Sequence, residues 1–171
     1  MKKTLIIFLI IVAVIFAFGT YSYFTIPDGS TIESREEQLQ EKSKGKLWLI
    51  SVEQKIDDYI ISGIYSGYDE SGLAVFEPNG NGKYKLQTRV FRDNDRIIIT
   101  NSYIDGQWYD IVWFNGAKTD YAEITYTLDG IKQEPIIHNA KNMEIFINPA
   151  PTNDEYRIDV AYYDSEGNKY E

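Results

Sequence analysis

The side chains able to do chemistry in this chain are few in type: one histidine, no cysteine, and 26 carboxylates among 171 residues. A histidine-dependent triad would have to use His138, which follows Ile136-Ile137 and precedes Asn139 at an expected strand end. A lone histidine in that setting serves structure or meets solvent. Neither a G-x-S-x-G elbow nor an H-E-x-x-H helix occurs, and thiol chemistry, ordinary structural zinc and disulfides are excluded. Ser43-Lys44-Gly45-Lys46 spells S-x-x-K, but that dyad needs a buried lysine of lowered pKa on a rigid helix turn. Here it falls in a polar stretch.

Carboxylates gather at Asp57-Asp58, Asp69-Glu70, Asp93-Asn94-Asp95 and Asn153-Asp154-Glu155. A glycosidase-like pair is defined in space, and nothing in these spacings selects one. Weak calcium binding is the sharper use of such oxygen-rich loops, with Asp93 and Asp95 the best-placed ligands, although no cluster completes an EF-hand loop. Turn formation explains the same residues more simply, because Asp and Asn side chains bond the local backbone. Pro78 to Lys83, PNGNGK, has the glycines of a phosphate loop but no following helix to hold an anion, so it reads as a hairpin turn. The expectation is a chain with no catalytic residue, no resident metal and no cofactor.

The second concentration of chemistry is aromatic. Gly106 to Gly116 reads GQWYDIVWFNG. Strand alternation sends Trp108, Asp110, Val112 and Phe114 to one face and Tyr109, Ile111 and Trp113 to the other. A strand apolar on both faces is either covered on both or offers an aromatic row to a ligand. Trp108, Tyr109 and Trp113 are the candidate contacts for a sugar ring or a protein partner. The core reading is favoured, since a cysteine-free domain of this size needs large side chains inside.

These residues must be positioned by strands. From Lys46 onward, short runs of Ile, Val, Tyr, Phe and Thr alternate with Gly, Asn and Asp clusters at intervals of roughly ten residues, the pattern of an antiparallel sandwich or barrel. One turn cluster is Asp69 to Gly72 and another Asn148 to Asp154. In Tyr84 to Phe91, Tyr84, Leu86, Thr88 and Val90 share a face. In Tyr121 to Leu128 the inner set is Ala122, Ile124, Tyr126 and Leu128, and in Tyr156 to Tyr163 it is Tyr156, Ile158, Val160 and Tyr162. Asp129-Gly130 is expected to join Tyr121–Leu128 to Ile131–Ile137 as a tight hairpin, with Pro135 forcing the second strand to an edge. In strand and turn texture, WFNGAKTDYAEITYTLDG and AYYDSEGNKYE resemble small immunoglobulin-like modules of exported bacterial proteins, a resemblance that implies a sandwich and no particular activity.

The N-terminus has a different character. After Met1-Lys2-Lys3, the stretch from Thr4 to Phe24 is apolar for about twenty residues, the length of a membrane-spanning helix. Two lysines precede it and Asp28, Glu33, Glu36 and Glu37 follow it, so the remainder is placed outside the cytoplasm. A cleaved secretory signal ending near Ala17-Phe18-Gly19 is the alternative, and it too exports the rest. Without Lys2 and Lys3 the chain has 15 basic residues against 26 acidic, a net charge of −11 that repels phosphate backbones and argues against nucleic acid.

Residues 25–45 are polar. Ser30 and Glu33 have capping-box spacing, so a short helix over Thr31 to Lys42 is expected, standing as a stalk because it lacks an apolar stripe. The organisation expected is therefore a membrane anchor over 1–24, a stalk over 25–45 and one all-β, immunoglobulin-like antiparallel β-sandwich over 46–171. The role expected is that of an extracytoplasmic, non-enzymatic module contacting another cell-envelope protein. The alternative is a wall-glycan binder, and a carboxylate-dependent hydrolase comes third.

Overall fold

The computed structural model describes residues 10–15, 27–43, 46–67, 70–93, 97–114, 119–141, 143–151 and 155–170. Residues 10–15 are helical and exposed, and the rest of the expected membrane span lies outside the described residues. Among the described residues no helix is long and apolar enough to cross a membrane.

Among the described residues from 27 on, the chain is all-β apart from helix α1 (Ile32–Glu41), and its sheets are antiparallel and packed face to face as in a β-sandwich. Strands β1 (Leu49–Ile56), β2 (Tyr59–Ser66), β3 (Glu70–Pro78) and β4 (Tyr84–Asp93) form a meander in chain order. Strands β5 (Ile97–Ile104), β6 (Gln107–Phe114) and β10 (Phe146–Pro149) form a second sheet in the order β10-β6-β5. Strands β7 (Tyr121–Leu128), β8 (Ile131–Lys132), β9 (Ile136–Asn139) and β11 (Tyr156–Tyr163) form a third, with β11 on one side of β7 and β8 and β9 on the other. Immunoglobulin-like sheets rely on Greek-key connections. The meander does not, so the expected texture does not extend to its topology.

The β5–β6 sheet is the middle layer. Trp113 and Ile111 of β6 join Ile61, Leu73 and Val75 of the meander in one core, with Ile98 and Ile104 of β5. On the opposite face Val112 packs with Ile124, Tyr126 and Phe146, and Phe114 with Ala122 and Tyr162. That is why GQWYDIVWFNG is apolar on both sides: β6 is covered twice. Gly63 of β2 makes room for the indole, since a Cβ there would lie 2.5 Å from the Trp113 ring.

The sets expected for β7 and β11 face inward as the alternation requires, because both strands run without a break in register. In β4 the expected set is broken. Val75 pairs with Thr88 but Phe76 with Leu86, so Gln87 is an extra residue and the faces exchange across it. Tyr84 and Leu86 point to the α1 side, whereas Val90 joins the core shared with β5 and β6. Gly72, expected in a turn, lies inside β3, where a Cβ would come within 2.3 Å of the Val90 carbonyl. Asn148, also expected in a turn, lies in β10. The Asp129-Gly130 turn is present with both residues at positive φ, 49° and 77°. Its second strand splits into β8 and β9 around Gln133 to Pro135 on the sheet's edge.

Helix α1 is the main departure. It starts one residue later than the capping-box spacing implies: Thr31 is the N-cap and accepts from the Ser34 N–H at 3.2 Å, while Ser30 donates instead to Asp28. It does not stand away from the strands as a stalk would. Leu39, fully buried, fills a pocket with Trp48, Ile60, Ile64, Ala74 and Phe76. Polar side chains do the rest. Gln38 donates to the Tyr84 carbonyl at 2.8 Å and accepts from the Leu86 N–H at 2.7 Å, completing the free edge of β4. Glu36 accepts from the Ile50 N–H at 2.8 Å on β1, the opposite edge of the same sheet. Arg35 meets both oxygens of Glu53, at 2.8 and 2.6 Å, and donates to the Gly29 carbonyl. Arg89 of β4 closes the helix C-terminus on the Leu39 and Lys42 carbonyls. One helix thus blocks both edges of the meander, a recurrent need of open sheets.

Candidate functional site

The third sheet does not fully cover the middle one. β11 lies over β6, where Tyr156 donates to Asp110 and Tyr162 stacks on Phe114 at 4.0 Å. β7 reaches β10 through the Asn148 amide on the Tyr126 hydroxyl, and β9 reaches it through the edge of His138 on Phe146. The next position, above β5, is taken at one end only: Lys169 bridges to Tyr163 and the Tyr170 N–H donates to the Tyr162 carbonyl on the outer edge of β11, with the Tyr170 ring near Phe114. Ile97, Ile99 and Tyr103 on that face are 36, 38 and 51% exposed, and Trp108 of β6 beside them is 43% exposed.

Alongside this face runs a cleft of about 680 Å³. Its floor is Ile99, Asn101 and Asp110, one wall is the start of β11 at Tyr156 to Ile158, and Val90 and Arg92 of β4 close it below. β4, β5 and β11, each the outer strand of its sheet, all border it.

Asp110 is the chemical centre of the cleft. It is 1% exposed, directly opposite Asn101 on β5 and Asn148 on β10. Its Oδ1 accepts from the Tyr156 hydroxyl at 2.7 Å. Its Oδ2 is buried without a well-aligned hydrogen bond among the described residues, and the Tyr126 hydroxyl lies close enough to favour the ionised carboxyl. Burial pushes the Asp110 carboxyl above its ordinary value, against the opposing pull of the Tyr156 and Tyr126 hydroxyls. Burial and the neighbouring carboxylate likewise raise both tyrosines, Tyr126 to about 12. A carboxylate buried with one satisfied oxygen is costly unless a donor reaches the other.

The residues singled out from sequence do not form one surface. Trp113 is fully buried, its Nε1 donating to the Met143 carbonyl at 3.0 Å, and it has no exposed face to offer a ligand. Tyr109 is half-buried against the same core. Trp108 points the other way and is exposed, its ring 5.4 Å from Tyr103 and tilted by 59°. Asp93 sits at the exposed end of β4, Asp95 lies outside the described residues, and no cluster among the described residues groups three metal-ligating side chains. Ser43 and Lys46 are otherwise engaged: the serine hydroxyl is held between Arg89 and the Leu39 carbonyl, and the lysine pairs with Glu70. His138 is half-buried, its Nε2 without a partner among the described residues. Sequence reasoning missed Asp110 as a site residue. The available signal was a lone acid inside an otherwise apolar strand.

The fold therefore defines a class, antiparallel sheets in three layers with a helix sealing one of them. Compared with protein-family models, curated proteins and solved structures, the chain matches none.

Proposed function

We propose that this chain is a membrane-anchored, extracytoplasmic and non-enzymatic module that binds another cell-envelope protein. The observation that carries the reading is the exposed face of β5 beside the outer edge of β11 from Tyr156 to Ala161, short of Tyr162 and Tyr163, where the C-terminal residues pair. An extended segment paired with β11 from Tyr156 to Ala161 would extend the third sheet by one strand and bury Ile99, with Tyr103 and Trp108 at its end. Strand addition of this kind draws affinity from main-chain hydrogen bonds and specificity from alternate side chains. A second copy of the chain is a poor occupant. Pairing β11 with β11 would drive the projecting β5 of each copy into the middle sheet of the other.

The second reading, a wall-glycan binder, is favoured by the exposed Trp108 and Tyr103. Their mutual tilt of 59° weighs against it, because a sugar ring packs best on a flat platform.

The test is photocrosslinking in intact cells from probes placed one at a time at Ile99 and Tyr103, with Thr127 as control. Adducts from both to alternate residues of one protein segment are expected. Adducts to glycan, or yields no greater than at Thr127, would refute the reading.

A further inference from the structure

We propose that the β3–β4 turn, Asn79 to Lys83, lies against the phospholipid headgroups of the membrane that holds the anchor, so that the domain keeps one orientation with that turn inward. This deepens the membrane-anchored part of the reading above and rests on it.

The way out of the anchor is not a free linker. Pro27 to Gly29 are pinned to the start of β4 and to α1. The Asp28 carbonyl accepts from the Tyr84 N–H at 2.9 Å, the Pro27 carbonyl from the Gln38 amide at 3.1 Å and the Gly29 carbonyl from Arg35 at 2.6 Å. The Asp28 carboxylate also meets Lys83 of the turn at 3.4 Å. Gly29 lies so close to the strand that a Cβ there would be 2.1 Å from the Tyr84 carbonyl. The apolar run of the sequence reaches Phe24, and only Thr25 and Ile26 separate it from Pro27. Three Cα steps span about 11 Å at most. A bilayer whose hydrocarbon ends at Phe24 therefore leaves Pro27, and the turn beside it, no slack to move away from the headgroup layer.

The turn suits headgroups and not acyl chains. Gly80, Asn81 and Gly82 stand at φ 74°, 52° and 70°, and nothing lies within 4 Å of a Cβ built on either glycine, so the turn projects from the sheet. Its asparagine amides are exposed donors of the kind that phosphate oxygens accept. Immersion in hydrocarbon would strand them, along with the turn's backbone. Lys83 pairs with Asp28 and Lys85 with Glu77, so the contact owes little to attraction by anionic lipid. It is imposed by the short tether.

The chain has no cysteine, so single cysteines can carry a fluorophore at chosen points. Asn79→Cys marks the turn. Ser66→Cys and Leu47→Cys mark the opposite end of the meander, about 25 Å away along strands of eight and nine residues. Each labelled full-length chain is reconstituted in phosphatidylcholine vesicles doped with phosphatidylcholine bearing a nitroxide on the headgroup or at mid-acyl chain. The headgroup nitroxide should quench the Asn79→Cys label at least about threefold more than the two distant labels, given their separation. The mid-chain nitroxide should quench it less than the headgroup nitroxide does. Ten Gly and Ser residues inserted between Ile26 and Pro27, adding about 15–20 Å of flexible reach, should erase the difference between the ends. Equal headgroup quenching of all three labels in the uninserted chain would overturn the orientation and leave the anchor standing, and stronger mid-chain quenching at Asn79→Cys would overturn contact at headgroup depth. A difference that survives the insertion would overturn the tether as its cause. A chain that fails to float with the vesicles would overturn the anchor and the orientation together.

Discussion

Replacing Gln38 with alanine tests whether α1 belongs to the fold. The side chain is buried and makes three hydrogen bonds: its amide donates to the Pro27 carbonyl at 3.1 Å and the Tyr84 carbonyl at 2.8 Å, and accepts from the Leu86 N–H at 2.7 Å. At about 1 kcal/mol net for each bond, the loss comes to about 3 kcal/mol, and water entering the vacated edge of β4 reduces it to about 2. Glu37, adjacent and exposed, provides the control, and Glu37→Ala should stay within about 0.5 kcal/mol of the parent. Urea denaturation measures both, and amide exchange at Leu86 reports the bond itself. Gln38→Ala should lower the midpoint and deprotect Leu86, with the slope unchanged. A cost below about 0.5 kcal/mol with Leu86 still protected would mean that α1 stands free of the sheet and that the edge-blocking argument is wrong.

Three further outcomes are expected. Acrylamide should quench one class of tryptophan, because Trp48 and Trp113 are buried and Trp108 is exposed; Trp108→Phe should remove that class, and quenching that persists would place another indole at the surface. Gly63→Ala should cost about 1–3 kcal/mol and alter the near-ultraviolet circular dichroism of Trp113, whereas a neutral result would mean the indole does not lie against β2. Asp110 titrates above its ordinary value of 3.8 in the folded chain, so the native state holds its proton more tightly than the unfolded state does. Its contribution to stability therefore falls as pH rises from 3.8 through the folded value, and Asp110→Asn should gain on the parent across that window; a difference independent of pH would rule this out.

Periodicity made β7 and β11 legible because the two pair with each other in unbroken register, so every second side chain is inner. The same rule failed in β4 because Gln87 is inserted without any glycine or proline to announce it. Helix α1 was legible as a helix but not as a docked one. The usual signal for docking is an apolar stripe, and here Gln38, Glu36 and Arg35 make the contacts, polar residues that a sequence assigns to solvent. Trp113 and Trp108 are five positions apart in one strand, and alternation separated their faces. It could not say that a third sheet stops short of β5, which depends on pairings between strands far apart in the chain. Asp110 was hidden for the same reason: its importance comes from β11 and β7, not from its neighbours in sequence.

The two-edge contact of α1 also has a consequence in time. The helix is made before any strand it touches, yet Gln38 finds its partners 46 and 48 residues later, on Tyr84 and Leu86. Until β4 is in place the helix lacks its Gln38 and Arg89 bonds and holds only through Arg35, Glu36 and Leu39, and a ten-residue helix is marginal alone in water. Docking is therefore completed only when β4, the last strand of the meander, is in place. Without those contacts the edge of β4 stays open to any other chain nearby, so a lesion in this short polar segment should appear first as clumping of newly made protein and only later as reduced stability of what has folded.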